Sequence, residues 1–444
     1  MSQTITLLRN KVESTTETNT VLHLMLRKHI YTAGGGGGGA GWLPHEEFAR
    51  TELQLVDRRQ PDRIYTLVPK SLGTSKYGVI WAAAKGAVSD AVIRSPDFAP
   101  THIVQLLNPI GDETLKELEE RAQREVNIGL FVRRLDSANR TMLCRDSALC
   151  SDEWFVSRKI DFDNAERVVV VFGFKSGSTL LKFLVEHLFP VFSKENEVQC
   201  KIQVLRIASF LGYALSNLNV AGVFHGNVNP NNILVSFIER PNNVPLVTGV
   251  RLINFDRYSC VLIKNIYDAM LSEISRERKI FINVSCSKPV DPNRFIYPGP
   301  PPPGEANAAE YYASLPFRDP NVPEIVVKTS QLGAARDQEL ESVRIAYARA
   351  EAYSYALIVQ LCSDPVQLRE IGAKTKRAPI IRIAKRATGG VTDELYKLTN
   401  ADYNARPPMY NVAKQFEDLY KHMEETKTIL NVENVVKNPA IDEK

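Results

Sequence analysis

Gly222-Val223-Phe224-His225-Gly226-Asn227-Val228-Asn229-Pro230-Asn231-Asn232-Ile233-Leu234-Val235 is the stretch on which the reading of this chain turns. It enters on apolar residues, passes through a polar run holding one histidine, four asparagines and one proline, and leaves on three aliphatic residues. Gly226 frees the backbone and Pro230 removes a hydrogen-bond donor, so the polar run reads as a loop; Ile233-Leu234-Val235 reads as the start of a buried strand. A polar loop ahead of a strand needs none of these residues in a fixed order.

On the N-terminal side the pattern is β-rich. Tyr65-Thr66-Leu67-Val68, Val79-Ile80-Trp81-Ala82 and Ala91-Val92-Ile93 read as strand cores within 63–94, the charged stretch 115–135 as a helix, and 167–174 as a strand buried on both faces. Beyond residue 176 the chain turns helical, with helices expected at 180–189, 204–221, 335–361 and 411–426. A short helix at 21–30 precedes six glycines, 34–39, too flexible to pack and lacking the lysine and helix start of a phosphate loop. Pro298-Gly299-Pro300-Pro301-Pro302-Pro303-Gly304 is a stiff extended spacer.

Bulk properties narrow the class. With 444 residues, 44% of them hydrophobic, the chain can bury a large core. A net charge of +4 from 55 basic and 51 acidic residues argues for neither nucleic acid nor an anionic membrane surface. Six dispersed cysteines without zinc-ligand spacing read as reduced thiols. Residues 1–20 lack the apolar stretch of a secretory signal, and no run approaches the roughly 20 apolar residues that span a bilayer. The expectation is a soluble, intracellular, cytoplasmic protein without a membrane span.

Leu72-Gly73-Thr74-Ser75-Lys76-Tyr77-Gly78-Val79-Ile80 resembles the glycine-rich loop of protein kinases, with Ser75 in place of the middle glycine. In that family such a loop closes over nucleotide phosphates, which implies roles for Gly73, Ser75 and Gly78. Ala91-Val92-Ile93-Arg94 resembles the strand that carries the phosphate-holding lysine, with Arg94 in its place, and Glu125 is chosen over Glu117, Glu119 and Glu120 as its helix partner. The segment 170–180 resembles the hinge, with Phe172 gating the rear of the pocket and Phe174 in the connector.

The opening stretch then resembles the catalytic loop His-Arg-Asp-Leu-Lys-Pro-Glu-Asn, and His225, Pro230, Asn232 and the aliphatic triplet fall in register. His-Gly-Asn-Val followed by Asn-Ile-Leu is also close to the loop of Janus kinase pseudokinase domains. Asn227 stands for the base and Asn229 for the lysine that steadies the γ-phosphate; an amide does neither job. Asn232 is kept, but Asn254-Phe255-Asp256 stands for Asp-Phe-Gly, so an amide replaces the metal carboxylate and Asp256 is the one nearby acid.

Three later segments keep structural parts of the same pattern. Asn321-Val322-Pro323-Glu324 resembles Ala-Pro-Glu, Glu351-Ala352-Tyr353-Ser354 the start of a large-lobe helix, and Asp402-Tyr403-Asn404-Ala405-Arg406-Pro407 the segment whose arginine pairs with that glutamate. The resemblance implies a buried pair Glu324–Arg406, with His225 and Phe255 as further structural residues.

The expectation is an α+β, two-lobed protein-kinase-like fold: an N-terminal extension 1–60, a kinase-like domain 61–425 (N-lobe 61–175, C-lobe 176–425, long activation-segment insertion 257–320) and a tail 426–444. The resemblance implies a pseudokinase that acts as a scaffold or allosteric regulator on protein partners, such as an active kinase or another signalling protein. ATP is the implied cofactor; Asn232, Asn254 and Asp256 are the implied metal positions, and the amide in place of a carboxylate at 254 argues against Mg2+. The alternative is an atypical active Ser/Thr-type protein kinase recruiting Asp256, Lys76 or Lys85.

Overall fold

Six antiparallel strands build the N-terminal part: β1 (Gln54–Val56), β2 (Ile64–Ser75), β3 (Gly78–Lys85), β4 (His102–Leu107), β5 (Ser151–Val156) and β6 (Val168–Gly173), in the order β1-β2-β3-β4-β6-β5. The computed structural model describes residues 54–75, 78–95, 97–109, 113–138, 147–149, 151–158, 166–220, 222–240, 244–255, 261–262, 317, 319, 337–363 and 391–426. The sheet curls until its edges meet. Asp57 bridges Ser157, Arg58 N–H donates to Val156 O (2.8 Å) and Arg158 N–H to Val56 O (2.7 Å). Closure satisfies backbone groups that an open edge leaves to solvent.

Strand alternation sorts the side chains. Leu55, Tyr65, Trp81, Val104, Leu106, Phe155, Val169 and Val171 fill the interior of the curl. Val168, Val170 and Phe172 point outward against Leu118 and Ala122 of helix α2 (Leu115–Ala138). A strand covered on both faces explains the unbroken valine run that marked β6 in the sequence. Helix α2 starts with a capping box in which Thr114 N–H donates to Glu117 Oε2 (2.8 Å) and Glu117 N–H to Thr114 Oγ1 (3.3 Å).

Two expectations for this half need correction. Gln54–Val56 lies inside the segment assigned to an N-terminal extension, yet it is the strand that closes the sheet. Three residues are too few to show a period-2 pattern. Ala91-Val92-Ile93 is not a strand: it belongs to a short helix, α1 (Asp90–Ile93), on the connection from β3 to β4. A brief apolar run carries no period of its own, and here Ser89 and Asp90 precede it while Pro96 follows, which are helix start and stop signals.

The C-terminal part is mainly helical. After β7 (Ser178–Thr179) come α3 (Leu180–Phe183), a π-helical turn (Leu184–Leu188) and a 3-10 turn (Phe189–Val191), then the long α4 (Glu197–Val220). Strand β8 (Val223–Phe224) pairs with β11 (Val261–Leu262), and β9 (Ile233–Ile238) lies between β10 (Leu246–Leu252) and β7. Helices α5 (Asp337–Cys362), α6 (Val391–Leu398) and α7 (Met409–Thr426) complete it. Helix α4 is buried on almost all sides: a Cβ on Gly212 would come within 2.6 Å of Ala413 Cβ on α7, and Tyr355 Oη on α5 donates to Ala208 O (3.0 Å).

Leu149 N–H donates to Leu252 O and Leu252 N–H to Ser147 O, each at 2.9 Å, and Ile128 of α2 joins the large helical core. These contacts tie the β-rich part to the helical part. A curled antiparallel sheet with one long helix, followed by a helical unit, is the expected two-lobed, kinase-like α+β architecture. Cys200 and Cys362 are buried free thiols whose burial pushes each up to about 12. Among the described residues no helix is long and apolar enough to cross a membrane. The helix expected at 21–30, the glycine run, the Pro-rich segment, nearly all of the 257–320 insertion and the tail beyond Thr426 lie outside the described residues.

Leu55 is fully buried in the closing strand, whereas Leu72 is exposed on the hairpin. Leu55→Ala is expected to cost about 2–5 kcal/mol in urea unfolding, and Leu72→Ala under about 0.5 kcal/mol. Equal small losses would mean that β1 does not hold the sheet.

Candidate functional site

The loop quoted at the outset lies between β8 and β9 and is held from below by helix α5. Glu351 on that helix is buried, and its Oε1 accepts the Gly226 N–H at 2.9 Å. Its Oε2 faces the amide of Asn219 at 2.7 Å, once that amide is turned so that its NH2 also reaches Leu215 O and Val223 O. Burial pushes the Glu351 carboxyl up to about 7, against the lowering effect of hydrogen bonds from the Gly226 and His225 backbone and from Asn219. Gly226 turns at φ 72, a left-handed conformation that brings its N–H to this carboxylate without a Cβ penalty.

His225 is fully buried. Its Nε2 lies 2.8 Å from Ile253 O and its Nδ1 accepts the Asn227 N–H at 3.3 Å. A carbonyl only accepts, so Nε2 carries the proton and the ring is neutral. Phe255 packs edge-on against it at 4.9 Å. The two residues expected to be structural thus join the loop to the segment after β10.

Four side-chain amides gather above this support, three from the loop and Asn254 from the segment after β10. Asn229 Nδ2 donates to Asn227 O and to Asn227 Oδ1, both at 3.0 Å, while its own Oδ1 accepts the Asn231 N–H (2.9 Å). Asn232 Nδ2 donates to Asn227 O (2.9 Å), and Asn254 Nδ2 donates to Asn232 Oδ1 (2.8 Å). Asn254 has φ 65, the one positive φ at a non-glycine position among the described residues, in a region asparagine enters more readily than most. Asn227, Asn229, Asn232 and Asn254 therefore do come together. What they form is a neutral network in which amides hydrogen-bond to one another.

The phosphate side differs from expectation. Gly73 and Ser75 sit on β2 opposite Ile80 and Gly78 of β3, so the segment is a hairpin, with Lys76 and Tyr77 at its tip outside the described residues. A Cβ on Gly78 would lie 2.1 Å from Leu106 O, so glycine there is dictated by the close approach of β4. Arg94 does not face the sheet. It is exposed on α1, where its Nε pairs with Asp90 Oδ2 at 2.8 Å, one helical turn away.

The strand that follows the hairpin is β4, and its face toward α2 presents Ile103, Gln105 and Leu107. Gln105 is buried at mid-strand, opposite Ile80 on one side and Val170 on the other. Sequence reasoning missed this buried polar residue. The available signal was a single polar residue inside the apolar run His102–Leu107.

Glu125 is half-buried on α2, one helical turn from the buried Arg121 and Ala122. Glu117 serves the helix cap, and Glu119 lies 3.8 Å from both Arg58 and Arg59. Phe172 is buried between β6 and α2, and Phe174 N–H donates to Thr101 O (3.0 Å) as the chain leaves the sheet.

Arg406 is buried as expected, but its acid is Asp319. Nη1 lies 2.5 Å from Asp319 Oδ2 and Nη2 3.2 Å from Oδ1; Nε and Nη2 also donate to Asn400 O, and Nη1 to Arg349 O. That uses all five guanidinium donors; Glu324, the acid expected for this pair, and Asp256 lie outside the described residues. Ser354 Oγ donates to Phe317 O, so the end of the insertion is pinned to α5 at Phe317 and to Arg406, ahead of α7, at Asp319.

No known family's sequence profile matches this chain, and no curated protein matches it. Among solved structures it is similar to the PknI kinase domain of Mycobacterium tuberculosis, at 14% identity over 80% of this chain and 95% of that one, with a TM-score of 0.36. It is also similar to the ROP18 kinase domain in complex with AMP-PNP and sucrose, at 10% identity over 85% of this chain and 87% of that one, TM-score 0.43.

Folding raises the Glu351 pKa above its ordinary 4.5, so the folded chain takes up a proton between that value and about 7. Stability is greatest below this window, falls as pH rises through it and levels off above it. Glu351→Gln is expected to flatten that fall, on the order of 3 kcal/mol, in urea unfolding compared at pH 5 and pH 8; parallel pH profiles for the two proteins would contradict it. Asp319→Ala strands the buried Arg406 charge and is expected to cost about 3–5 kcal/mol in the same assay.

Proposed function

We propose that the chain is a catalytically inactive, protein-kinase-like module that acts on protein partners as a scaffold or allosteric regulator. The observation that carries this reading is the amide network. Where phosphoryl transfer needs a base, a γ-phosphate cation and a metal carboxylate, the chain offers Asn227 and Asn229 in the loop and Asn254 after β10, each engaged with a neighbouring amide.

A positioned base alone contributes about 10²–10⁴-fold to rate, and electrostatic stabilisation of the transferring group contributes more. Both are missing together. The strand position beside the hairpin adds to the deficit, because Gln105 carries no charge to hold α- and β-phosphates while Arg94 is engaged elsewhere on the surface.

The framework is kept where chemistry is lost. Glu351 still carries the loop, His225 and Phe255 still join it to the next strand, and Arg406 still anchors the large lobe. Retaining this costly buried polar framework without its chemistry favours a fold used as a surface. Partners of the kind such a surface serves are active kinases or other signalling proteins. ATP is the ligand that the kinase resemblance of the hairpin and of the connector after β6 implies.

Incubation of the full chain with labelled ATP, Mg2+ or Mn2+ and a mixed peptide library is expected to give no phosphate incorporation. The variant Asn227→Asp/Asn254→Asp is expected to stay inactive, because Asn229 and Gln105 remain. Transfer by the wild type, abolished by Asp256→Ala, would establish an active kinase instead.

A further inference from the structure

The kinase resemblance implies a divalent cation between the positions of Asn232 and Asn254, and the donors present there do not fit one. Mg2+ takes about six hard oxygen ligands in near-octahedral geometry, drawn by charged carboxylates. Here both residues are neutral. Asn232 Oδ1 is already taken by Asn254 Nδ2, Asn229 Oδ1 by the Asn231 N–H, and Asn227 Oδ1 by Asn229 Nδ2. Among the described residues no group of three or more His, Cys, Asp or Glu side chains is placed to hold a metal ion.

We propose that the Asn254–Asn232 hydrogen bond takes over the cation's structural task, clamping the segment after β10 to the loop so that the cleft is set without metal. This rests on the reading of the chain as catalytically inactive.

The clamp has a fixed direction. Asn227 O can only accept, so Asn232 must turn its NH2 toward it, at 2.9 Å. That turn points Asn232 Oδ1 at residue 254, which must then supply a donor, and Asn254 does so at 2.8 Å. An aspartate at 254 would set a carboxylate oxygen against Asn232 Oδ1. Flipping Asn232 gives no relief, because its oxygen would then face Asn227 O. The conflict is removed by placing a cation between the two oxygens, which is the arrangement a metal-using site adopts.

Asn254 also holds a left-handed backbone conformation. Glycine tolerates that conformation and has no side chain, so Asn254→Gly separates the effect of the hydrogen bond from that of the turn. Asn254 is thus a positioning residue, and its signature is a metal dependence that appears on substitution.

The test is calorimetric unfolding of the full chain in EDTA and in millimolar MgCl2. Wild type is expected to melt at the same temperature in both. Asn254→Asp is expected to melt about 5 °C lower in EDTA and to recover in MgCl2; Asn254→Gly is expected to fall similarly and not recover. If Asn254→Asp does not fold in EDTA, refolding yield gives the same reading: recovery with MgCl2 supports the clamp, and failure in both conditions overturns it. A wild-type Tm raised by MgCl2, or an Asn254→Asp protein as stable as wild type in EDTA, also overturns it. Phosphoryl transfer by the wild type would remove the inactive reading whichever way the metal titration falls, so the two failures are distinguishable.

Discussion

A buried carboxylate receiving two backbone N–H groups sets the geometry on which the rest of the site depends. Glu351 projects from α5 under the loop and accepts from Gly226 and from the His225 backbone, while Asn219 of α4 satisfies its other oxygen. Its burial alone would cost several kcal/mol, and hydrogen bonds to the charged form are what return much of that. The donors on the loop side are backbone N–H groups, and the left-handed turn at Gly226 aims one of them at the carboxylate.

The side chains gathered at this loop are alike in chemistry. A base, a cation and a metal ligand would bring charges whose mutual balance depends on nucleotide and metal. Amides bring none, and four of them close on one another through complementary donors and acceptors. Such a network is stable in the absence of ligand because no charge is left unpaired in a partly dry site. The same logic extends to β4, where Gln105 sits buried in the sheet without requiring an opposite charge.

The loop was legible from sequence because several residues with obligatory backbone duties stand in one run: His225, Gly226, Pro230, Asn232 and the aliphatic residues after them. The both-sides-buried strand β6 was legible from its valines. Other features depended on what the chain does in three dimensions. Arg94 was misplaced because Ala91-Val92-Ile93 is too short to separate helix from strand, and α1 leaves Arg94 outside the sheet. Arg406 was recognisable as a buried arginine, but its acid was not. Nothing in the sequence singles out Asp319, which meets Arg406 because the fold brings position 319 beside position 406. Strand β1 is three residues long, and its role comes from closing a sheet that sequence reading left open.

The central claim is that hydrogen-bonded amides occupy the ground where a kinase-like cleft would hold metal and nucleotide charge together. The most direct measurement is a crystal structure of the full chain grown with ATP and Mn2+, with anomalous scattering used to locate the metal. The account predicts no anomalous peak between Asn232 and Asn254 and an intact Asn254 Nδ2 to Asn232 Oδ1 hydrogen bond. A manganese peak at that place, with the two side chains turned to present oxygens to it, would contradict the account.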